Sequence, residues 1–117
     1  MRKKQVVSLL VDDHSGVLAR VSSLFGRRGF NIDSLTVSAT NDPDTSRITL
    51  VVDDSEAVLT QIMLQTARLE ETQRIFRLDA EHSLLRELLL IKVSADARDR
   101  GELREIAGIY NAKIIDL

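Results

Sequence analysis

Residues 11 to 35 constrain the fold more tightly than any other stretch. They hold, in order, the end of an apolar strand, a polar turn, one amphipathic helix and the start of a second strand. The turn Asp12-Asp13-His14-Ser15-Gly16 opens into a helix over about residues 16–28, whose apolar residues Val17, Leu18, Val21, Leu24 and Phe25 recur at the spacing of one buried stripe. Such a helix must lie on a flat apolar surface. Ser15 is the expected N-cap, its hydroxyl accepting from an unpaired amide of the first turn. Arg27 and Arg28 suit the negative C-terminal end, and Gly29 suits a left-handed stop.

The flanking segments say what that surface is. Val6 to Val11 hardly alternates, as expected of a strand covered on both faces. Residues 31–40 alternate, with Leu35, Val37 and Ala39 on one side and Ser34, Thr36, Ser38 and Thr40 on the other. The turn Asn41-Asp42-Pro43-Asp44 leads to a third strand with Ile48, Leu50 and Val52 inward, so the two strands form a hairpin. Asp53-Asp54-Ser55 supplies N-cap oxygens for a second helix buried through Val58, Leu59, Ile62, Met63 and Leu69, and Thr72 to Leu78 makes a fourth strand. The order strand, helix, strand, strand, helix, strand predicts an α+β, ferredoxin-like βαββαβ fold over residues 1–78, with both helices on one face of an antiparallel sheet.

Residues 79–87 read as a polar connector, after which the pattern restarts. Leu88 to Val93 reads as a strand, residues 99–109 as a helix carrying Leu103, Ile106 and Ile109, and residues 112–117 as a strand. At an offset of 80, Leu10 answers to Leu90 and Phe30-Asn31 to Tyr110-Asn111. Residues 88–117 are thus expected to be a partial second ferredoxin-like βαβ unit. One such unit has too little apolar surface to stand alone, so its sheet must be finished by the first domain, by another chain or by further residues.

Composition narrows the function. A net charge of −2, three Phe, one Tyr and no Trp exclude the basic, aromatic-studded face of a nucleic-acid binder. Without cysteine there is no disulfide, thiolate nucleophile or thiolate metal site. The basic start is followed by an apolar run broken by Ser8 and ended by Asp12-Asp13, which reads as neither an export signal nor a membrane span; the expected location is cytoplasmic. Asp12, Asp13 and His14 are consecutive and converge poorly on one ion, and His82 beside Glu81 reads as solvated connector. Neither catalysis by this chain alone nor a metal or cofactor of its own is expected. Gly16 leaves the first amides of the helix open to a small anion such as the carboxylate of a free amino acid, and the Asn31 amide suits an amino or carboxylate group. Residue types leave the alternative equally open, that Gly16 only permits a tight turn and Asn31 only caps a strand.

The run from Ser15 to Val21, the run from Leu24 to Val37, the segment Asp44 to Leu50 and the tripeptide Ile114-Ile115-Asp116 closely resemble the small regulatory subunit of acetolactate synthase (acetohydroxyacid synthase). The resemblance covers essentially the whole chain, and Arg28-Gly29-Phe30-Asn31-Ile32-Asp33-Ser34-Leu35 sets it apart from other ACT domains. It implies an N-terminal ACT domain that binds a branched-chain amino acid, usually valine, where two such domains pair in a homodimer. It also implies a catalytic large subunit carrying thiamine diphosphate, Mg2+ and FAD, which this chain would activate and make sensitive to feedback. By the same resemblance the effector loop is Asp13, His14, Ser15, Gly16, Val17 and Leu18 of one subunit, facing Asn31 and Ile32 of its neighbour. The family commonly has Asn where this chain has Asp13, whose carboxylate cannot donate and repels a ligand carboxylate. Family members also usually continue further, to complete the second ferredoxin-like domain. The alternative class is a free-standing amino-acid-sensing ACT module acting on a different partner, such as a transcription factor.

Overall fold

The apolar alternation of the first 78 residues is realised as four strands and two helices. In the computed structural model, which describes residues 3–116, these are β1 (Lys3–Asp12), α1 (Val17–Arg28), β2 (Ile32–Ala39), β3 (Thr45–Asp54), α2 (Glu56–Ala67) and β4 (Thr72–Leu78). The strands form one sheet in the order β2-β3-β1-β4, antiparallel at every pairing. Register follows the apolar pattern, with Leu9 opposite both Ile48 and Ile75, and Leu35 opposite Leu50.

Both helices cover the same face. Val7, Leu9, Val11, Ile48, Leu50 and Val52 point into a single core with Val17, Val21 and Phe25 of α1 and Leu59 and Ile62 of α2. Ser55 caps α2 by accepting from the Val58 amide at 3.3 Å. β1 is central and its apolar residues are buried or half-buried throughout. Between Val7 and Leu9, Ser8 is fully buried and its hydroxyl has no hydrogen-bond partner among the described residues.

Three expectations change. The N-cap of α1 is Gly16 and not Ser15: Gly16 takes φ 89°, its carbonyl accepts from the Arg20 amide, and no side chain caps the helix. Leu18 is 46 % exposed, so the buried stripe of α1 is narrower than its apolar pattern. Val37 and Ala39 are exposed as well, because β2 is an edge strand.

The chain divides into two compact units, Met1–Leu85 and Arg86–Leu117. In the second, α3 (Asp99–Ile109) forms over the expected residues, yet none of them is buried. The strands expected at 88–93 and 112–117 are absent among the described residues, which end at 116. A strand exists only through its ladder, and this unit offers neither segment a neighbour. Among the described residues no helix is long and apolar enough to cross a membrane.

Candidate functional site

The loop from β1 to α1 is held at its base. The Asp12 amide donates to the Glu71 carbonyl at 2.9 Å, and the Asp13 amide to the Asp44 carbonyl at 2.8 Å. Gln73 Nε2 donates to Asp12 Oδ1 at 2.9 Å, and Gln73 Oε1 accepts from Thr45 Oγ1 at 3.1 Å. The first residues of the loop are thus tied both to the start of β3 and to β4.

Above that base Gly16 turns the chain. Its positive φ belongs to the region in which L side chains are strained, and an added Cβ would meet only open space. The Val17 amide donates to the His14 carbonyl at 3.4 Å and the Arg20 amide to Gly16 at 3.0 Å, leaving the Leu18 and Ala19 amides without an acceptor among the described residues. No acidic residue lies in the first turn of α1. The positive end of the helix dipole is therefore not neutralised locally, and a small carboxylate can be received there.

Of the residues expected to meet an effector, Asp13, His14, Ser15, Gly16 and Leu18 are exposed around this helix start, while the Val17 side chain is buried in the core. Asn31 and Ile32 lie at the other end of the sheet. Asn31 Nδ2 donates to the Asp53 carbonyl at 2.8 Å, and the Asp53 amide donates back to the Asn31 carbonyl at 3.1 Å. Asn31 therefore does clamp the start of β2 to the end of β3, with its Oδ1 and one N–H left over. Since Asp13 is bonded at Asp44 and Asn31 at Asp53, the extended backbone of β3 separates the two groups by about 30 Å. One chain does not bring them together.

Sequence reasoning missed the ion pair behind the loop. Arg20 Nη1 lies 2.6 Å from Glu71 Oε1; the Glu71 side chain is almost wholly buried, and its Oε2 has no hydrogen-bond partner among the described residues. Among the described residues, the side chains close enough to share a metal ion are Asp79, Glu81 and His82, all exposed on the connector; Asp12, Asp13 and His14 form no such group. His82 Nδ1 lies 2.7 Å from Asp79 Oδ2, and this bond, with the Glu81 amide, holds the Asp79 carboxyl below its ordinary pKa. A groove of about 240 Å³ lined by Ala19, Arg20, Ser23, Arg27 and Leu69 and another of about 520 Å³ beside Lys4, Gln5 and Arg77 include none of the expected effector residues.

Comparison with known proteins supplies the family. Residues 7–74 match a family model described as AHAS small subunit-like ACT domain, and residues 86–117 match one described as small subunit of acetolactate synthase. The acetolactate synthase small subunit of Mycobacterium bovis is 48% identical over 115 residues, covering 98% of this chain and 68% of the relative. The acetolactate synthase isozyme 3 small subunit of Escherichia coli is 38% identical over 114 residues, covering 97% and 70%. The crystal structure of the acetolactate synthase small subunit from Thermotoga maritima superposes with a TM-score of 0.82 at 32% identity, covering 98% of this chain and 72% of that one. The ACT domain from GTP pyrophosphokinase of Chlorobium tepidum, at 14% identity and a TM-score of 0.57, shares the fold. With an ACT-type sheet, two matched segments and relatives aligned along nearly its whole length, this chain belongs to the acetolactate synthase small-subunit family, the regulatory subunits of that enzyme.

Proposed function

We propose that this chain is a non-catalytic subunit that activates a large acetolactate synthase subunit and carries valine, or another branched-chain amino acid, as its feedback effector. The observation that supports an amino-acid site is the start of α1. Gly16 at φ 89° leaves the Leu18 and Ala19 amides open, with no side chain of the loop capping them. The ligand carboxylate would lie on those amides and its aliphatic side chain against the exposed Leu18.

The rest of the site would come from a second protomer. β2 is an edge of the sheet, and antiparallel pairing of two β2 edges about a two-fold axis turns one protomer end for end. That operation carries Asn31 and Ile32 of one protomer toward the Gly16 end of the other, closing the separation along β3. Thiamine diphosphate, Mg2+ and FAD are assigned to the catalytic partner. The match of residues 86–117 to the acetolactate synthase family favours this reading over a free-standing sensor module acting elsewhere.

The test is co-purification with the large subunit of the same organism and assay of acetolactate formation from pyruvate. The expected result is no activity from this chain alone, higher activity of the large subunit in its presence, and inhibition by valine only when both are present. Acetolactate formed by this chain alone with thiamine diphosphate and Mg2+, or no effect on the large subunit, would overturn it.

A further inference from the structure

Glu71 holds both ends of the loop that carries Gly16. Its carbonyl accepts from the Asp12 amide at 2.9 Å, where β1 ends, and its Oε1 lies 2.6 Å from Nη1 of Arg20 in the first turn of α1. Arg20 in turn donates its amide to the Gly16 carbonyl at 3.0 Å and directly follows the open Leu18 and Ala19 amides. One residue thus fixes where the loop leaves the sheet and where the helix begins.

Glu71 is itself held. It lies in the turn between α2 and β4, where Thr72 Oγ1 donates to the Thr66 carbonyl at 2.8 Å, the Thr72 amide to Leu69 at 3.1 Å and the Leu69 amide to Thr66 at 3.1 Å. Thr66 is fully buried, and its hydroxyl donates to the Ile62 carbonyl of α2 at 2.6 Å. The position of the Gly16 loop is therefore referred to α2 and the core.

For stability alone the ion pair is a poor device. The Arg20 side chain is 61 % exposed, so solvent screens the attraction, while the Glu71 side chain is 6 % exposed and its Oε2 is unpartnered among the described residues. Burying a carboxylate on one partner carries a desolvation cost that an apolar side chain of similar size would avoid. What the carboxylate adds is direction: a charged acceptor takes the Arg20 guanidinium at one place.

From these bonds we propose that Glu71 is a positioning residue of the effector site. Acting through Arg20, it keeps the first turn of α1 in the conformation that receives a ligand carboxylate, and so sets the affinity for the effector. This rests on the effector reading given above and adds to it a residue that touches no ligand. If loss of the strut leaves the turn receptive about a tenth of the time, the apparent dissociation constant rises about tenfold.

Valine binding is measured by calorimetry on the full chain, well below the melting temperature of every variant. Glu71→Ala and Arg20→Ala should each raise the valine Kd about tenfold, and the double variant should raise it no further than either. The two differ in stability, because Arg20→Ala leaves the carboxylate buried and unpaired whereas Glu71→Ala removes it. Equal losses of affinity from unequal changes in melting temperature are not what a merely structural role produces. Arg20→Lys, which keeps the positive charge, should recover most of the affinity lost in Arg20→Ala. Ile48→Val, which takes a methyl group from the core and no bond from the loop, should lower the melting temperature and leave Kd unchanged. Where Glu71→Ala does not fold, Arg20→Ala against Arg20→Lys decides alone. Valine binding by the unsubstituted chain with Kd unchanged in Glu71→Ala and Arg20→Ala, or with Kd following melting temperature through every variant including Ile48→Val, overturns the proposal and leaves the effector reading standing. No binding of valine, leucine or isoleucine by the unsubstituted chain overturns the effector reading and the proposal with it.

Discussion

Gly16 joins a left-handed backbone to the proposed effector site in one residue. Its φ of 89° with open space around the missing Cβ means that Gly16→Ala meets no clash and costs only the left-handed conformation, about 1–2 kcal/mol. Gly16→Asp adds a carboxylate beside the free Leu18 and Ala19 amides, where it competes with a ligand carboxylate. Thermal melts should therefore show a modest loss of stability for both variants, with the valine-induced rise abolished in Gly16→Asp. An unchanged valine rise in Gly16→Asp would place the site elsewhere. At the connector, His82 and the Glu81 amide hold the Asp79 carboxyl below its ordinary pKa. A lowered folded-state value favours the ionised form, so its contribution is present above the ordinary carboxylate range and is lost as pH falls through the lowered value. His82→Ala should raise the Asp79 pKa toward the ordinary value in a carboxyl NMR titration and leave the melting temperature near neutral pH unchanged, because both side chains are exposed. No rise would mean that His82 is not the cause.

Between elements, the Arg20–Glu71 pair fastens α1 to the turn that leads into β4. Arg20 is solvent-exposed, so its Coulomb attraction is screened, whereas the Glu71 side chain is buried with one oxygen already unpaired. Arg20→Ala strands that carboxylate altogether and should cost about 1–3 kcal/mol by denaturant unfolding. Glu71→Gln, which removes the charge but keeps the shape, should cost less in the Arg20→Ala background than in the unsubstituted chain; equal costs would mean the two side chains do not interact. Nothing in the sequence announces this pair, because polar partners this far apart leave no periodic trace. The four strands and both helices of the first unit were legible because burial on one face imposes a period of two or 3.6 on the residues themselves. Exposure of Val37 and Ala39 was not legible, since it depends on β2 lying at the edge. The cap of α1 was misread by one residue: the sequence offered a Ser with an acceptor oxygen, and the chain used the glycine after it because the turn needed a positive φ. At the candidate site, the turn into α1 was legible as a turn, whereas the bond from Asn31 to Asp53 was visible only in the fold.

For the whole molecule, the effector reading and the pairing of protomers are one thermodynamic statement. A ligand that touches Gly16 of one protomer and Asn31 of another binds only the paired state. It therefore raises the stability of that state by about 2.7 kcal/mol per site at a hundred times its dissociation constant, and by linkage it tightens pairing itself. Asn31→Ala should lose that gain and, because the amide also bonds Asp53, cost the unliganded fold about 1 kcal/mol. In the proposed site Asp13 would tune the same equilibrium. Its backbone is fixed by the bond to Asp44, and its exposed carboxylate has no hydrogen-bond partner among the described residues, so it adds an unpaired negative charge to the loop that leads into α1. Asp13→Asn keeps the backbone bond, removes the repulsion and adds a donor. In melts with valine, leucine and isoleucine it should enlarge the valine shift at fixed concentration, and in sedimentation it should lower the valine concentration that drives pairing, with the unliganded melting temperature little changed. A smaller shift in Asp13→Asn than in the unsubstituted chain would mean that Asp13 grips the ammonium group of the ligand and that the amino acid lies in the site with its two charged ends exchanged.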